Sequence, residues 1–141
     1  MKRNIFEKRK NIKPYEYPEL LSFKDAISHS YWLWSEYNFT SDIQDFKIVL
    51  SEKERTIIKK TILAISQVEV SVKRFWPNIY NYFPKTEIDL VGLTFGESEC
   101  RHFEAYSKLL ELLDMDDMFL NIEQYEALMK RVDYMGDFLE K

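Results

Sequence analysis

The 141-residue sequence has only three glycines, four prolines and one cysteine, and each scarcity excludes a class of structure. So few turn-forming residues argue against a β fold and favour long helices. The single cysteine, Cys100, cannot build an internal disulfide framework, which suits a reducing compartment. No apolar run reaches the roughly 18 to 20 residues that span a bilayer, and the charged N-terminus is unlike a signal peptide. We therefore expect a soluble, cytoplasmic protein with no membrane contact.

The composition is that of one folded domain. Hydrophobic residues make up 45% of the chain and aromatic residues 16%, which is enough for a packed core. The net charge of −4 is uneven, because residues 1–13 carry six Lys or Arg and one acid. Without aromatic interleaving or a binding motif, this basic segment does not indicate a nucleic-acid partner. We predict a flexible basic arm over residues 1–13 and one helical domain over residues 14–141.

Apolar periodicity and helix-start signals predict an all-α bundle of four long helices. A capping-box pattern, Ser51 followed by Glu54, marks the start of the second helix, and Pro77 should end or kink that helix. Residues 37–50 should form an irregular connection with one short helical turn, and a run of acidic residues should end the third helix. The predicted helices cover about 19–36, 51–75, 84–113 and 122–140.

The third predicted helix carries the strongest chemical pattern of the chain. His102 follows Glu99 by three residues and Tyr106 follows Glu99 by seven, so all three share one helical face. A carboxylate and an imidazole one turn apart can bind the same metal ion, and the tyrosine would lie beside it. Glu-x-x-His alone is a weak signal, and the alternative is a surface glutamate beside a packed histidine.

Glu69 is a third candidate ligand, because valines surround it in the sequence Gln67-Val68-Glu69-Val70-Ser71-Val72. A carboxylate that faces inward there needs compensation, which a metal would give, although Glu69 could instead point outward. With Glu99 and His102 it would form a donor set that suits iron or manganese. Helical bundles build di-metal sites from two such sets of ligands. The only other histidine of the sequence, His29, has no glutamate three residues before it and so cannot complete a second set. The sequence therefore carries half of a site.

Several motifs in order resemble the small (β, radical-generating) subunit of class I ribonucleotide reductase, over residues 5–141. The resemblance implies an incomplete ferritin-like helical bundle, in which residues 14–141 form the N-terminal half of the di-metal domain. The motifs that carry it are Tyr31-Trp32 with Glu36, Ser41-Asp42-Ile43-Gln44-Asp45-Phe46, Ser66-Gln67-Val68-Glu69, and Glu97-Ser98-Glu99-Cys100-Arg101-His102 with Tyr106.

The resemblance also implies roles for individual residues. Glu69 matches the first metal carboxylate, Glu99 the bridging carboxylate and His102 the histidine ligand of a dinuclear iron or Mn/Fe centre. Tyr106 matches the tyrosine that is oxidised to a stable radical. On residue chemistry alone, Tyr106 could equally be a buried tyrosine with a hydrogen-bonded hydroxyl.

Trp32 and Glu36 match residues that transfer the radical toward the large catalytic subunit. Without the resemblance, Trp32 would be read as a core aromatic residue, because two other aromatic residues flank it.

The function implied is that of a ribonucleoside-diphosphate reductase small subunit, an oxidoreductase that serves deoxyribonucleotide synthesis. Family members are much longer, and their second half supplies the remaining ligands and the tail that docks on the large subunit. We expect a split or truncated chain that is inactive without a C-terminal half and the large subunit, and that is a homo-oligomer when complete. The alternatives are a related ferritin-like di-metal oxidase and a non-catalytic fragment that only associates with a partner half.

Overall fold

The computed structural model describes the backbone of residues 3–139 and the side chains of residues 3–136. This range contains seven α-helices and no β-strand, and none of its helices is both long and apolar enough to cross a membrane. Shorter 3-10 turns lie at Pro18–Leu20, Trp34–Glu36 and Ile122–Gln124, and a π-helical turn at Asp45–Val49. The α-helices are α1 (Leu21–His29), α2 (Thr40–Gln44), α3 (Glu52–Ser66), α4 (Glu69–Tyr82), α5 (Thr86–Leu112), α6 (Asp116–Leu120) and α7 (Glu126–Leu139).

Two local predictions are confirmed. The Ser51 hydroxyl oxygen accepts from the Glu54 N–H at 3.4 Å, and the Glu54 carboxylate accepts from the Ser51 N–H at 2.8 Å, which completes the capping box of α3. The hydrogen bonds from the Ser51 hydroxyl and N–H lower the pKa of Glu54. Helix α5 lies within two residues of its predicted bounds, and Asp114 ends the turn after it with a positive φ of 52°.

The predicted first helix, 19–36, is wrong at its C-terminal end. Helix α1 ends at His29, and the Ser30 N–H closes it by donating to the carbonyls of Ala26 and Ile27. Residues 31–34 are four large apolar residues in succession, so their side chains cannot all lie on one face of a helix. In this segment the backbone of Leu33 is extended, with φ −120° and ψ 144°. This extended segment determines where the side chain of Trp32 lies.

The predicted second helix, 51–75, is wrong in its middle. Helix α3 ends at Ser66 and α4 begins at Glu69, and the N–H groups of Val68 and Ser71 donate to carbonyls three residues back, at 3.0 and 3.1 Å. Bonds over three residues are of the 3-10 type, so the α-helical hydrogen-bond pattern is interrupted between α3 and α4. Pro77 does not end α4, which continues to Tyr82.

The chain divides into two compact units, of which the first comprises residues 3–31 and 72–100. Within it, α4 approaches α5 closely at two glycines. A Cβ on Gly92 would overlap the carbonyl oxygen of Trp76, and a Cβ on Gly96 would lie 2.9 Å from Cγ of Pro77. The glycines therefore set the distance between the two helices in this unit.

A buried group of charges attaches the N-terminal segment to the start of α5 in the same unit. Glu87 is fully buried, and its Oε1 accepts from the N–H groups of Glu16 and Tyr17 at 2.6 and 3.1 Å. Arg9 Nη1 donates to the same oxygen at 3.0 Å, while Lys85 Nζ donates to the Glu16 carboxylate at 2.9 Å. Burial raises the pKa of Glu87, but its N–H and guanidinium donors outweigh burial and hold that pKa below its ordinary value.

Arg9 lies inside the predicted flexible arm, residues 1–13. Its side chain is 6% exposed, and its N–H donates to the carbonyl of Pro84 at 3.3 Å. The flexibility of the remaining arm and the domain boundary at residue 14 stay predictions.

The second unit comprises residues 32–71 and 101–139. Apolar side chains from α3, from the C-terminal half of α5 and from α7 form its core, together with residues of the π-helical turn and of the turn after α5. The partly buried Ile58, Ile62 and Leu109 pack against it. The buried core residues are Phe46, Leu63, Leu110, Leu113, Met115 and Leu128. Helix α5 contributes residues to both units, and it carries the Glu99, His102 and Tyr106 motif.

Candidate metal centre

Helix α5 is unbroken from Glu99 to Tyr106, so the predicted shared face exists. All three residues of the motif are half-buried, whereas Glu97 and Glu104 on the same helix are exposed. The carboxylate, the imidazole and the phenol are thus spaced by successive turns along one stripe of α5.

From sequence alone, a lone cysteine beside the motif is expected to be a small packed residue, and for Cys100 this is wrong. It is exposed, because it lies one position beyond Glu99 and so faces away from the stripe.

Glu69 is brought to the same place by the break between α3 and α4. It is only 7% exposed, so the outward-facing alternative is excluded. One oxygen of Glu69, one oxygen of Glu99 and one ring nitrogen of His102 all lie within 4.8 Å of one another.

The chemistry of these three groups fits a metal ion, and the 4.8 Å limit on the spacing of their donor atoms is slightly above the distances between donors of one bound ion. Carboxylate oxygens and imidazole nitrogens bind transition metals at about 2.0 to 2.2 Å, so donors of one ion lie roughly 3 to 4 Å apart. Oxygen with nitrogen donors suits iron or manganese. The structure thus contains a group of side chains that could hold such an ion, and the ligand roles of Glu69, Glu99 and His102 stay predictions.

Trp76 holds the carboxylate of Glu99, and sequence reasoning missed it. Its indole Nε1 donates to Glu99 Oε1 at 2.9 Å. The indole is fixed by its neighbours, with ring centroids 4.7 Å from Phe95 and 5.2 Å from Phe75. Partners of this kind orient metal ligands. The available signal was an aromatic residue immediately after the predicted second helix, 51–75, but its partner lies 23 residues away.

Trp32 lies against His102. Their ring centroids are 5.7 Å apart, and the ring planes are inclined by 22° in a stacked arrangement. The backbone of Trp32 is held by the buried Arg101, whose Nη1 donates to the Trp32 carbonyl at 3.2 Å. The structure thus brings Trp32 to the predicted ligand, while its role in electron transfer stays a prediction.

Glu36 is at the surface, four residues after Trp32. Its Oε1 accepts from the N–H of Leu33 at 3.2 Å, which closes the short turn Trp34–Glu36. Glu36 is therefore not part of the group formed by Glu69, Glu99 and His102.

Tyr106 borders two cavities of the second unit, with volumes of about 260 and 370 Å³. Two leucines of α5 line these cavities, Leu110 the first and Leu109 the second. Phe103 also lines the first cavity but is 41% exposed, so it shields the tyrosine only in part. The larger cavity is lined by Trp32, Trp34, Tyr37, Phe39, His102, Ala105, Tyr106 and Leu109.

Comparison with known proteins assigns the chain to a family. Residues 9–141 match the family model described as the small chain of ribonucleotide reductase. The chain is similar to the probable ribonucleoside-diphosphate reductase small subunit of Invertebrate iridescent virus 3, with 27% identity over 128 residues, 90% of this chain and 34% of that protein. For the corresponding protein of Invertebrate iridescent virus 6, the identity is 28% over 137 residues, 96% of this chain and 38% of that protein.

A bacterial relative, the ribonucleoside-diphosphate reductase subunit beta of Treponema pallidum (strain Nichols), is 25% identical over 126 residues, 86% of this chain and 36% of that protein. The chain thus spans roughly a third of the length of the curated relatives that it matches. The family model covers nearly the whole sequence, and the described residues are helical without strands. The chain therefore belongs to the ribonucleotide reductase small-chain family, and its all-α architecture is of the ferritin-like type of that family.

Proposed function

We propose that this chain supplies the first half of a dinuclear metal centre, together with its radical tyrosine, to a ribonucleoside-diphosphate reductase small subunit. The observation that carries the proposal is the convergence of Glu69, Glu99 and His102, whose donor atoms lie within 4.8 Å of one another. The family match over residues 9–141 supports it independently.

A dinuclear iron or Mn/Fe centre, together with O₂, would supply an oxidant strong enough to remove an electron and a proton from a phenol. The residues of this chain hold and orient that centre. Glu69 offers a buried carboxylate, Trp76 fixes the carboxylate of Glu99, and Trp32 covers one face of the His102 ring. Two further carboxylates and a second histidine would come from residues outside this sequence.

Tyr106 is the residue that we assign to radical storage. It follows His102 by one turn of α5, and it is half-buried between two cavities lined mainly by apolar side chains. A phenoxyl radical persists only where water and reductants are kept away. We infer that the rest of the subunit closes these cavities over Tyr106.

Trp32 and Glu36 would connect this site to the large subunit, where the ribonucleotide is reduced. Trp32 is stacked on His102, and Glu36 lies four residues further along the chain at the surface. A di-metal oxidase has no need of such a path, so this arrangement favours the reductase. The partners we propose are the remaining part of the small subunit, whether on the same or a separate polypeptide, the large subunit, and a second copy of the complete subunit.

The test is the formation of a tyrosyl radical. Iron(II) and O₂ are added to the chain alone and to the chain together with a polypeptide that supplies the rest of the subunit, and electron paramagnetic resonance (EPR) spectra are recorded. We expect a tyrosyl signal only in the mixture. Tyr106→Phe should abolish the signal while iron remains bound, and Tyr125→Phe, a conservative change at a half-buried core tyrosine, should not. An unchanged signal from the Tyr106→Phe variant would contradict the assignment.

A further inference from the structure

The ring of Tyr37 contacts the ring of Trp32 on the second unit of the chain. The two centroids are 5.7 Å apart with an interplanar angle of 83°, an edge-to-face contact. Because Trp32 is also stacked on His102, three rings follow one another from the predicted metal ligand outward. Tyr37 is 54% exposed, so this series ends at the surface.

We propose that Tyr37 is a redox-active residue that reduces oxidised Trp32, and thus forms a surface branch of the radical path. Its biological role rests on the proposed function, because the metal centre would be the source of the oxidising equivalent. The electron transfer itself rests only on the two aromatic rings and can be tested without metal.

The geometry favours transfer from Tyr37 for two reasons. Electron transfer falls steeply with distance, and ring centroids 5.7 Å apart place the ring edges in van der Waals contact. Tyr37 also contacts Phe39, at a centroid distance of 6.4 Å. A phenyl ring is much harder to oxidise than a phenol, so the oxidising equivalent stops at Tyr37.

Exposure of Tyr37 also accounts for the proton. The step begins with the Trp32 indole radical cation and the protonated phenol of Tyr37. One electron passes from the phenol to the indole, and the phenolic O–H bond breaks and gives its proton to water. The products are neutral Trp32 and a neutral Tyr37 phenoxyl radical. A phenol that is more than half exposed has water available as the proton acceptor.

The experiment uses metal-free protein and the azide radical as a one-electron oxidant, generated by pulse radiolysis. Azide radicals oxidise indole in preference to phenol, and transient absorption separates tryptophanyl from tyrosyl radicals. We expect a phase in which the tryptophanyl radical decays as the tyrosyl radical forms, at a rate independent of protein concentration. Tyr37→Phe and Trp32→Phe should each lose this phase.

Two matched variants distinguish Tyr37 from the other tyrosines. Tyr134→Phe changes an exposed tyrosine on α7 in the same unit, and Tyr106→Phe changes the tyrosine that borders the same cavity as Trp32. Both should retain the phase, and circular dichroism should show equal helix content in all variants.

The proposal is overturned if the wild type shows no phase independent of concentration, if Tyr37→Phe retains that phase, or if Tyr106→Phe removes it instead. Because no metal is present, such a failure is distinct from the absence of a tyrosyl signal after addition of iron and O₂.

Discussion

Replacing Glu87 by glutamine removes the negative charge from the buried group that attaches the N-terminal segment to α5. Oε1 of Glu87 accepts three hydrogen bonds, from the N–H groups of Glu16 and Tyr17 and from Arg9 Nη1. The amide oxygen of glutamine can still accept, but a neutral acceptor is weaker than a carboxylate by about 1 kcal/mol for each bond, or about 3 kcal/mol in all. This agrees with the about 3 to 5 kcal/mol lost when a buried ion pair keeps only one partner.

Urea unfolding at pH 7, followed by circular dichroism, measures this loss. A decrease of about 3 kcal/mol is a large part of the roughly 5 to 15 kcal/mol by which a typical domain is stable, so the midpoint should move clearly. Glu126→Gln is the matched control, because it breaks an exposed pair with Lys130 whose side chains are 82% and 75% exposed. The control should cost less than about 0.5 kcal/mol. Equal unfolding free energies for Glu87→Gln and wild type would refute the reasoning.

The same variant has a defined pH dependence. The folded-state pKa of Glu87 lies below the ordinary value of 4.5, because hydrogen bonds and Arg9 favour the carboxylate. A depressed pKa contributes stability that is complete above the unfolded-state value and is lost as the pH falls through the folded-state value. The difference between wild type and Glu87→Gln should therefore be constant from pH 7 to about 5 and decrease at lower pH.

Four further substitutions test separate parts of the structure. Trp76→Phe removes the hydrogen bond to Glu99 and should weaken Mn(II) binding about 10- to 100-fold, as measured by calorimetry, without changing helix content. Ser51→Ala removes the cap of α3 and should lower the unfolding free energy by about 1 kcal/mol in urea titrations. Gly92→Ala should lower it by about 1 to 3 kcal/mol, because the added Cβ meets a backbone carbonyl. Gly136→Ala is the control, because a Cβ at Gly136 has open space around it, and this change should raise the unfolding free energy by about 1 kcal/mol. If Gly92→Ala instead stabilises the protein, the α4–α5 contact is not close.

The sequence predicted those features that depend on local geometry. Glu99, His102 and Tyr106 share a face because the rise and turn of a helix are fixed, and the capping box of α3 involves residues only three apart. Such predictions need only the correct assignment of a helix.

Features that depend on tertiary contacts could not be read from the sequence. The break before Glu69 has no glycine or proline to mark it, and Pro77 is tolerated within α4. The bond from Trp76 to Glu99 joins residues 23 apart, and the bond from Arg9 to Glu87 joins residues 78 apart. Spacing patterns contain no information on such pairs, because the packing of whole helices determines them.

Pulsed EPR of Mn(II)-loaded protein tests directly whether His102 is a metal ligand in a group with Glu69 and Glu99. Histidine labelled with a heavy nitrogen isotope gives a nitrogen coupling to Mn(II) only if an imidazole is bound to the metal. The chain has two histidines, and His29, which is exposed, is the control. We predict that the coupling is present in wild type and in His29→Gln and absent in His102→Gln. A coupling that persists in His102→Gln, or that is absent from the wild type, would contradict the account.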